Sequence, residues 1–200
     1  MNAEQLQKTL HASQYAEQVL GLHQVALEQD YAIDQFEQSL STEQIQQLID
    51  HELVNIHDEI LWMKTLRILR ARLMFRWIWQ DANQLTDVVT LTRELSDFAD
   101  ASINVAKDFA RIPLLAKHGE PVGYNGKIQD LIVVAMGKLG AQELNLSSDI
   151  DLIFAFDEQG ETDGRKCIDV QQFCILWGQK LIYLLDHITA DGFVFRVDMR

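Results

Sequence analysis

Two apolar runs separated by a glycine turn constrain this chain more than any other feature. The first, Leu131 to Met136, is too short for a buried helix and carries enough β-branched residues to form a strand. Gly137-Lys138-Leu139-Gly140 follows, a pair of glycines that lets the backbone turn sharply and approach a ligand without Cβ interference. The next segment, Ala141 to Leu146, has room for a short helix. After Ser147-Ser148 a second apolar run, Ile150 to Phe156, is interrupted only by Asp151 and preceded by Asp149. In a strand, residues two apart share a face, so Asp149 and Asp151 present two carboxylates side by side while Ile150 and Leu152 face the core. At roughly 5 Å and an effective dielectric of about 20 their repulsion is about 3 kcal/mol. A divalent cation removes that cost, and oxygen-only ligation of this kind suits Mg²⁺. The alternative is that both acids lie in a turn before the strand and are merely solvated.

The rest of the chain reads as helix on the N-terminal side of this motif. Residues 3 to about 40 contain no glycine or proline except Gly21 and have apolar positions at helical spacing, which predicts helix throughout. Ser41 with Gln44 forms a capping-box pattern for a second helix through Ile45, Leu48 and Leu53. From Ile60 to Gln80, Leu61, Leu66, Leu69, Leu73, Trp77 and Ile78 form a stripe of core or contact residues. The same segment carries Arg67, Arg70, Arg72 and Arg76, either a solvated helix face or groups that reach phosphates or a partner. Thr86 is a candidate N-cap for a helix from Asp87 to about Lys117, which Pro113 would kink or end. The loop His118 to Gly126 holds two turn signals, and strand periodicity begins beyond it. The domain boundary is therefore placed at 117/118, with a helical region over 1–117.

After the acidic strand, Asp157 to Gly164 reads as a polar loop unsuited to burial, and Arg165 to Ile188 as one long amphipathic helix. Cys167 and Cys174, seven residues apart on that predicted helix, lie beyond disulfide reach and read as buried thiols. Phe193 to Arg200 alternates, placing Arg196, Asp198 and Arg200 on the polar face. A net charge of −13 disfavours a nucleic-acid or anionic-membrane partner, which needs clustered Lys and Arg. The N-terminus lacks the pattern of a signal peptide and no apolar run approaches membrane-spanning length, so a cytoplasmic location is expected.

The stretch MGKLGAQELNLSSDIDLIF resembles the motif block of the bifunctional glutamine synthetase adenylyltransferase/adenylyl-removing enzymes, within the nucleotidyltransferase superfamily of the polymerase-β type. Its Glu143-Leu144-Asn145 and Ser148-Asp149-Ile150-Asp151 resemble the N-terminal, deadenylylating half of those enzymes more than the adenylylating half. Phe195 to Arg200 looks like the strand carrying the third metal carboxylate. Weaker similarity extends through Leu95 to Asp100 and His118 to Pro121. Two positions depart from the pattern: Gly137-Lys138 stands where Gly-Ser is usual, and Ala141 where a glycine is common.

The resemblance implies an α+β fold, a helical region followed by a partial nucleotidyltransferase domain over 118–200 with a small mixed sheet. It implies Asp149, Asp151 and Asp198 as catalytic Mg²⁺ ligands, with Gly137, Lys138, Gly140, Ser147 and Ser148 at the nucleotide phosphates. The implied reaction is removal of AMP from an adenylylated tyrosine of glutamine synthetase by phosphate attack, releasing ADP. The rivals are adenylyl transfer from ATP to the same tyrosine, or a non-catalytic binding module. A glycosyltransferase-type D-x-D is a weaker option, because the acids follow a glycine turn at nucleotidyltransferase spacing. The implied partners are glutamine synthetase, phosphate, ADP or ATP, and a PII-type signalling protein. Enzymes of this family are several times longer, so the chain is expected to be a fragment, inactive by itself.

Overall fold

The computed structural model describes residues 2–33 and 36–200 and has the α+β architecture expected, with seven helical segments and five short strands among those residues. Two compact units account for the chain: 1–98 with 142–147, and 99–141 with 148–200. The division falls inside the longest helix, whereas the change from helical to strand pattern comes at its end, near residue 118.

The first unit is helical. Helices α1 (Ala3–Ala12) and α2 (Gln14–Ile33) divide the helical stretch expected over residues 3 to about 40, in which the sequence marks no clear break. Ser13 makes the break: it ends α1 in an extended conformation, and its Oγ accepts from Ala16 N at 3.2 Å to start α2. A hydroxyl that accepts from a nearby backbone donor offers the chain an alternative to continuing the helix. The tail of the expected helix reaches Asp34 and Gln35, outside the described residues, and 36–40 is non-helical. Helix α3 (Thr42–Leu53) starts at the capping box formed by Ser41 and Gln44.

Helix α4 (Glu59–Ala82) is the core element, with Leu66, Leu69, Leu73, Trp77 and Ile78 buried as the stripe predicts; Leu61 is exposed. Its arginines follow neither reading made from the sequence. Arg67 and Arg76 are buried, donating to Met63 O and Gln38 O, and Arg76 also stacks over the Phe36 ring at 5.3 Å. Arg70 donates to the Tyr15 hydroxyl at 3.1 Å. Arg72 joins Asp30 to Glu52, and the hydrogen bonds it donates to Asp30 above all raise its pKa further, despite partial burial. These guanidiniums fasten α2, α3 and the 36–38 segment to α4, where a planar fork with an aliphatic stem packs as well as it pairs.

Helix α5 (Val88–His118) is capped by Asp87, whose carboxylate accepts from Thr90 N at 2.7 Å, one residue later than the predicted Thr86. Pro113 lies within it without ending it. In the first unit Glu94 of α5 accepts from Trp77 Nε1 at 2.7 Å and Leu40 N at 3.0 Å. Ser96 Oγ accepts from Leu144 N, which ties the 142–147 segment to this unit.

The second unit holds the strands. β1 (Pro121–Gly123) pairs antiparallel with β4 (Gly160–Thr162), so the predicted polar loop 157–164 contains a strand whose Gly160 and Thr162 are buried. β2 (Ile132–Met136) pairs antiparallel with β3 (Ile150–Ala155), and β3 pairs in parallel with β5 (Val197–Met199), giving a mixed three-stranded sheet in the order β2-β3-β5. Between β2 and β3 the helical turn is α6 (Gly137–Gly140), while 141–146 forms no helix. Helix α7 (Val170–Asp186) makes the crossover from β3 to β5 and is anchored to α5 by Trp177, whose Nε1 donates to Lys107 O at 2.7 Å. It begins five residues later than the pattern suggested because Asp169 caps it, its carboxylate accepting from Gln172 N. Cys167 therefore lies outside the helix and is exposed, while Cys174 is buried, which pushes its thiol up to about 11.

Burial raises the Glu94 carboxyl above its ordinary range, against the opposing effect of its two donors. Folding thus favours the protonated form. The contribution of this group to stability is full below the ordinary glutamate pKa and is lost as pH rises through the raised one. Glu94→Ala strands two buried donors and is expected to cost about 2–4 kcal/mol. Glu94→Gln should cost less and remove that pH trend, as urea denaturation between about pH 4 and 7 would show.

Candidate active site

The register of the mixed sheet brings the predicted acids together. Asp151 on β3 is the direct partner of Asp198 on β5, and Met136 at the end of β2 is the partner of Asp151 from the other side. Paired residues share a face, so Asp151 and Asp198 stand side by side about 5 Å apart at the backbone. Asp149 precedes the first residue of β3, as the turn alternative supposed, but the ladder still reaches it: Ile150 N donates to Arg196 O at 3.0 Å. It is two residues before Asp151 and belongs to the same face.

That face is not the one α7 covers. Phe154 and Met199, of opposite parity to the acids, line a cavity of about 380 Å³ with Cys174 and Ile175 of α7. The acids, Ile132, Val134 and Met136 occupy the other face, where these three apolar residues are exposed.

Gly137 sits against the acids. Its φ of +56° is left-handed, and a Cβ built on it would lie 2.7 Å from Asp151 Oδ2. Glycine is required there twice over, by the backbone and by the carboxylate. Gly140 has a different duty: a Cβ would meet Ala135 O at 2.6 Å, so its hydrogen lets the turn close onto β2. Lys138 Nζ lies 3.3 Å from Ser148 Oγ, which joins two of the predicted phosphate-binding residues on this unit. Ser147 belongs to the first unit, where its N–H donates to Asn145 Oδ1.

Two residues for which the sequence suggested no role stand among the acids. Arg196 Nε is 2.5 Å from Asp149 Oδ1, an ion pair without hydrogen-bond alignment, since that buried oxygen has no donor aimed at it. Arg200 directs both Nε and Nη2 to Asp151 Oδ1 at 2.7 Å. The signal for them was present in the alternation around Asp198. As the side chains stand, no three His, Cys, Asp or Glu among the described residues are grouped closely enough to hold a metal ion. The residues nevertheless fit a hard divalent cation: their donors are carboxylate oxygens, Gly137 leaves the Asp151 Oδ2 side clear, and Asp149 Oδ1 lacks a hydrogen bond.

A mixed sheet with paired carboxylates on an open face, fed by a glycine turn, is the arrangement expected of a nucleotidyltransferase. The comparison with known proteins agrees and is more specific. The chain belongs to the glutamate-ammonia ligase adenylyltransferase family, whose model it matches over residues 3–200. It is 80% identical over 200 residues to the bifunctional glutamine synthetase adenylyltransferase/adenylyl-removing enzyme of Acinetobacter baylyi, covering 100% of this chain and 22% of that protein. The enzymes of the same name from Thioalkalivibrio sulfidiphilus and Hahella chejuensis are 49% and 51% identical over 143 and 139 residues. Those alignments span 72% and 69% of this chain, and 15% and 14% of the two relatives. The chain thus spans about a fifth or less of the length of these relatives.

Gly137→Ala is expected to destabilise the protein by about 1–2 kcal/mol from the left-handed backbone alone, and to push Asp151 aside in addition. Gly126→Ala, at a φ of +78° with open space around it, should show the backbone cost only. Chemical denaturation of the two variants side by side measures the difference.

Proposed function

We propose that this chain carries the site that removes AMP from an adenylylated tyrosine of glutamine synthetase by phosphorolysis, releasing ADP. The observation that supports it is the parallel register that sets Asp198 beside Asp151, with Asp149 on the same face and Gly137 clearing the space beside them. In the reaction an orthophosphate oxygen forms a bond to the adenylyl phosphorus, and the bond from that phosphorus to the tyrosine oxygen breaks. The phenolate leaves with its electron pair and takes a proton from solvent. With a pKa of about 10 it is a tolerable leaving group, so positioning and charge matter more than acid catalysis.

Asp149, Asp151 and Asp198 would hold Mg²⁺, which when bound supplies charge neutralisation at the phosphoryl oxygens. Lys138 and Ser148 would contact phosphate from the Gly137 side, and Gly140 keeps that turn closed. Ser147 is the weakest of the phosphate-binding assignments, its N–H being taken by Asn145. Residues 118–200 would form the catalytic portion of a larger cytoplasmic enzyme whose other partners include a PII-type regulator. The second reading is adenylyl transfer from ATP to the same tyrosine, which needs the same carboxylates; the relatives are named for both activities. Similarity of Glu143 to Asp151 to the adenylyl-removing half favours the first.

Asp149→Asn and Asp151→Asn, made in the full-length enzyme, are expected to abolish deadenylylation while leaving circular dichroism and the melting transition near normal. Each removes an anionic ligand with little change of shape. Near-normal deadenylylation in both would place the chemistry elsewhere, and a loss confined to adenylylation would favour the second reading.

A further inference from the structure

The acids of the open face share it with two cations that flank β5. Arg196 and Arg200 flank Asp198 two residues before and after it, and each is paired with a carboxylate of the neighbouring segment, Asp149 and Asp151. Arg200 makes no fork-to-fork pair, since two of its nitrogens go to the single oxygen Asp151 Oδ1, and Arg196 Nε meets Asp149 Oδ1 without hydrogen-bond alignment. Both arginines are also more than half exposed, at 59% and 64%. A guanidinium held this way exchanges readily for a better acceptor, and the oxygens of a phosphate match its planar fork.

Charge decides what the face can receive. Three carboxylates and two guanidiniums leave it with one negative charge, and a divalent cation on the carboxylates turns this into one positive charge. Without the arginines the three carboxylates outweigh the cation, and Lys138 at the Gly137 turn is the one cationic side chain of the proposed site left to attract orthophosphate. A cation held by Asp149 and Asp151 would compete with the guanidiniums for those oxygens and leave them able to take another anion.

We propose that Arg196 and Arg200 are positioning residues that bind phosphate oxygens at this site, in competition with their pairing to Asp149 and Asp151. The inference rests on the metal-site reading above and adds the groups that bring in the attacking phosphate.

The test uses the full-length protein without adenylylated substrate, so that nothing turns over. Mn²⁺ binding is read by electron paramagnetic resonance of the free ion, and orthophosphate binding by calorimetry with Mn²⁺ present. Arg196→Ala and Arg200→Ala should each tighten Mn²⁺ binding severalfold, because a competing cation is gone, and weaken orthophosphate binding by about tenfold or more. Arg→Lys variants, which keep the charge but lose the fork, should fall between. They also keep the test decisive if an alanine variant unfolds. Repeating the titration with ADP separates the sources: weakening for orthophosphate alone assigns the arginines to the attacking phosphate, and weakening for both assigns them to the nucleotide as well. Unchanged orthophosphate affinity, or Mn²⁺ affinity that falls together with it, would mark the arginines as structural and overturn the proposal. Wild-type protein that binds no Mn²⁺ would overturn the metal-site reading itself, and this inference with it.

Discussion

The parallel pairing of β3 with β5 is the constraint on which the second unit depends. Parallel neighbours cannot be joined by a tight turn, so the chain must cross over, and α7 is that crossover. The helix covers one face of the sheet and leaves the other open. The register then decides what the open face carries, since pairing Asp151 with Asp198 puts both carboxylates on that side. A shift of one residue would turn Asp198 and both arginines toward α7 and bring Val197 and Met199 out. Fold and candidate site are thus one choice of register.

The two units treat arginine in opposite ways. On α4 the guanidiniums are buried or partly buried and are held by fixed partners, Asp30, Glu52, Tyr15 and main-chain oxygens. Breaking such a group away from its partners is costly, so it serves as structure. Beside β5 the guanidiniums of Arg196 and Arg200 are more than half exposed, and their ion pairs with Asp149 and Asp151 are of the weakly held, exchangeable kind. The basic cluster that stands out in the sequence is the structural one; the pair beside the acids shows only as part of an alternating strand pattern.

What the sequence disclosed followed from local periodicity and caps. The strand at 150–155, the turn at Gly137, the Ser41 capping box and the long helix after residue 88 need only neighbours in sequence, and all are present. The break at Ser13 escaped because a serine hydroxyl, not a glycine or proline, interrupts the helix. The late start of α7 escaped because the Asp169 cap lies within a segment whose apolar spacing already looks helical. Alternation placed Asp198 on the polar side of its strand, but that it lies opposite Asp151 is a long-range fact that no local pattern contains. The exchange partners of Arg196 and Arg200 were hidden for the same reason.

The central claim is that orthophosphate attacks the adenylyl group at this open sheet face, and the fate of the phosphorus tests it most directly. Adenylylated glutamine synthetase would be incubated with the full-length enzyme, Mg²⁺ and ³²P-labelled orthophosphate. Phosphorolysis predicts label in the β-phosphate of ADP, in step with the return of unmodified tyrosine, and no label in ADP when Asp149 or Asp151 is asparagine. Tyrosine released with unlabelled AMP, or labelled ADP formed equally well by the asparagine variants, would contradict the account.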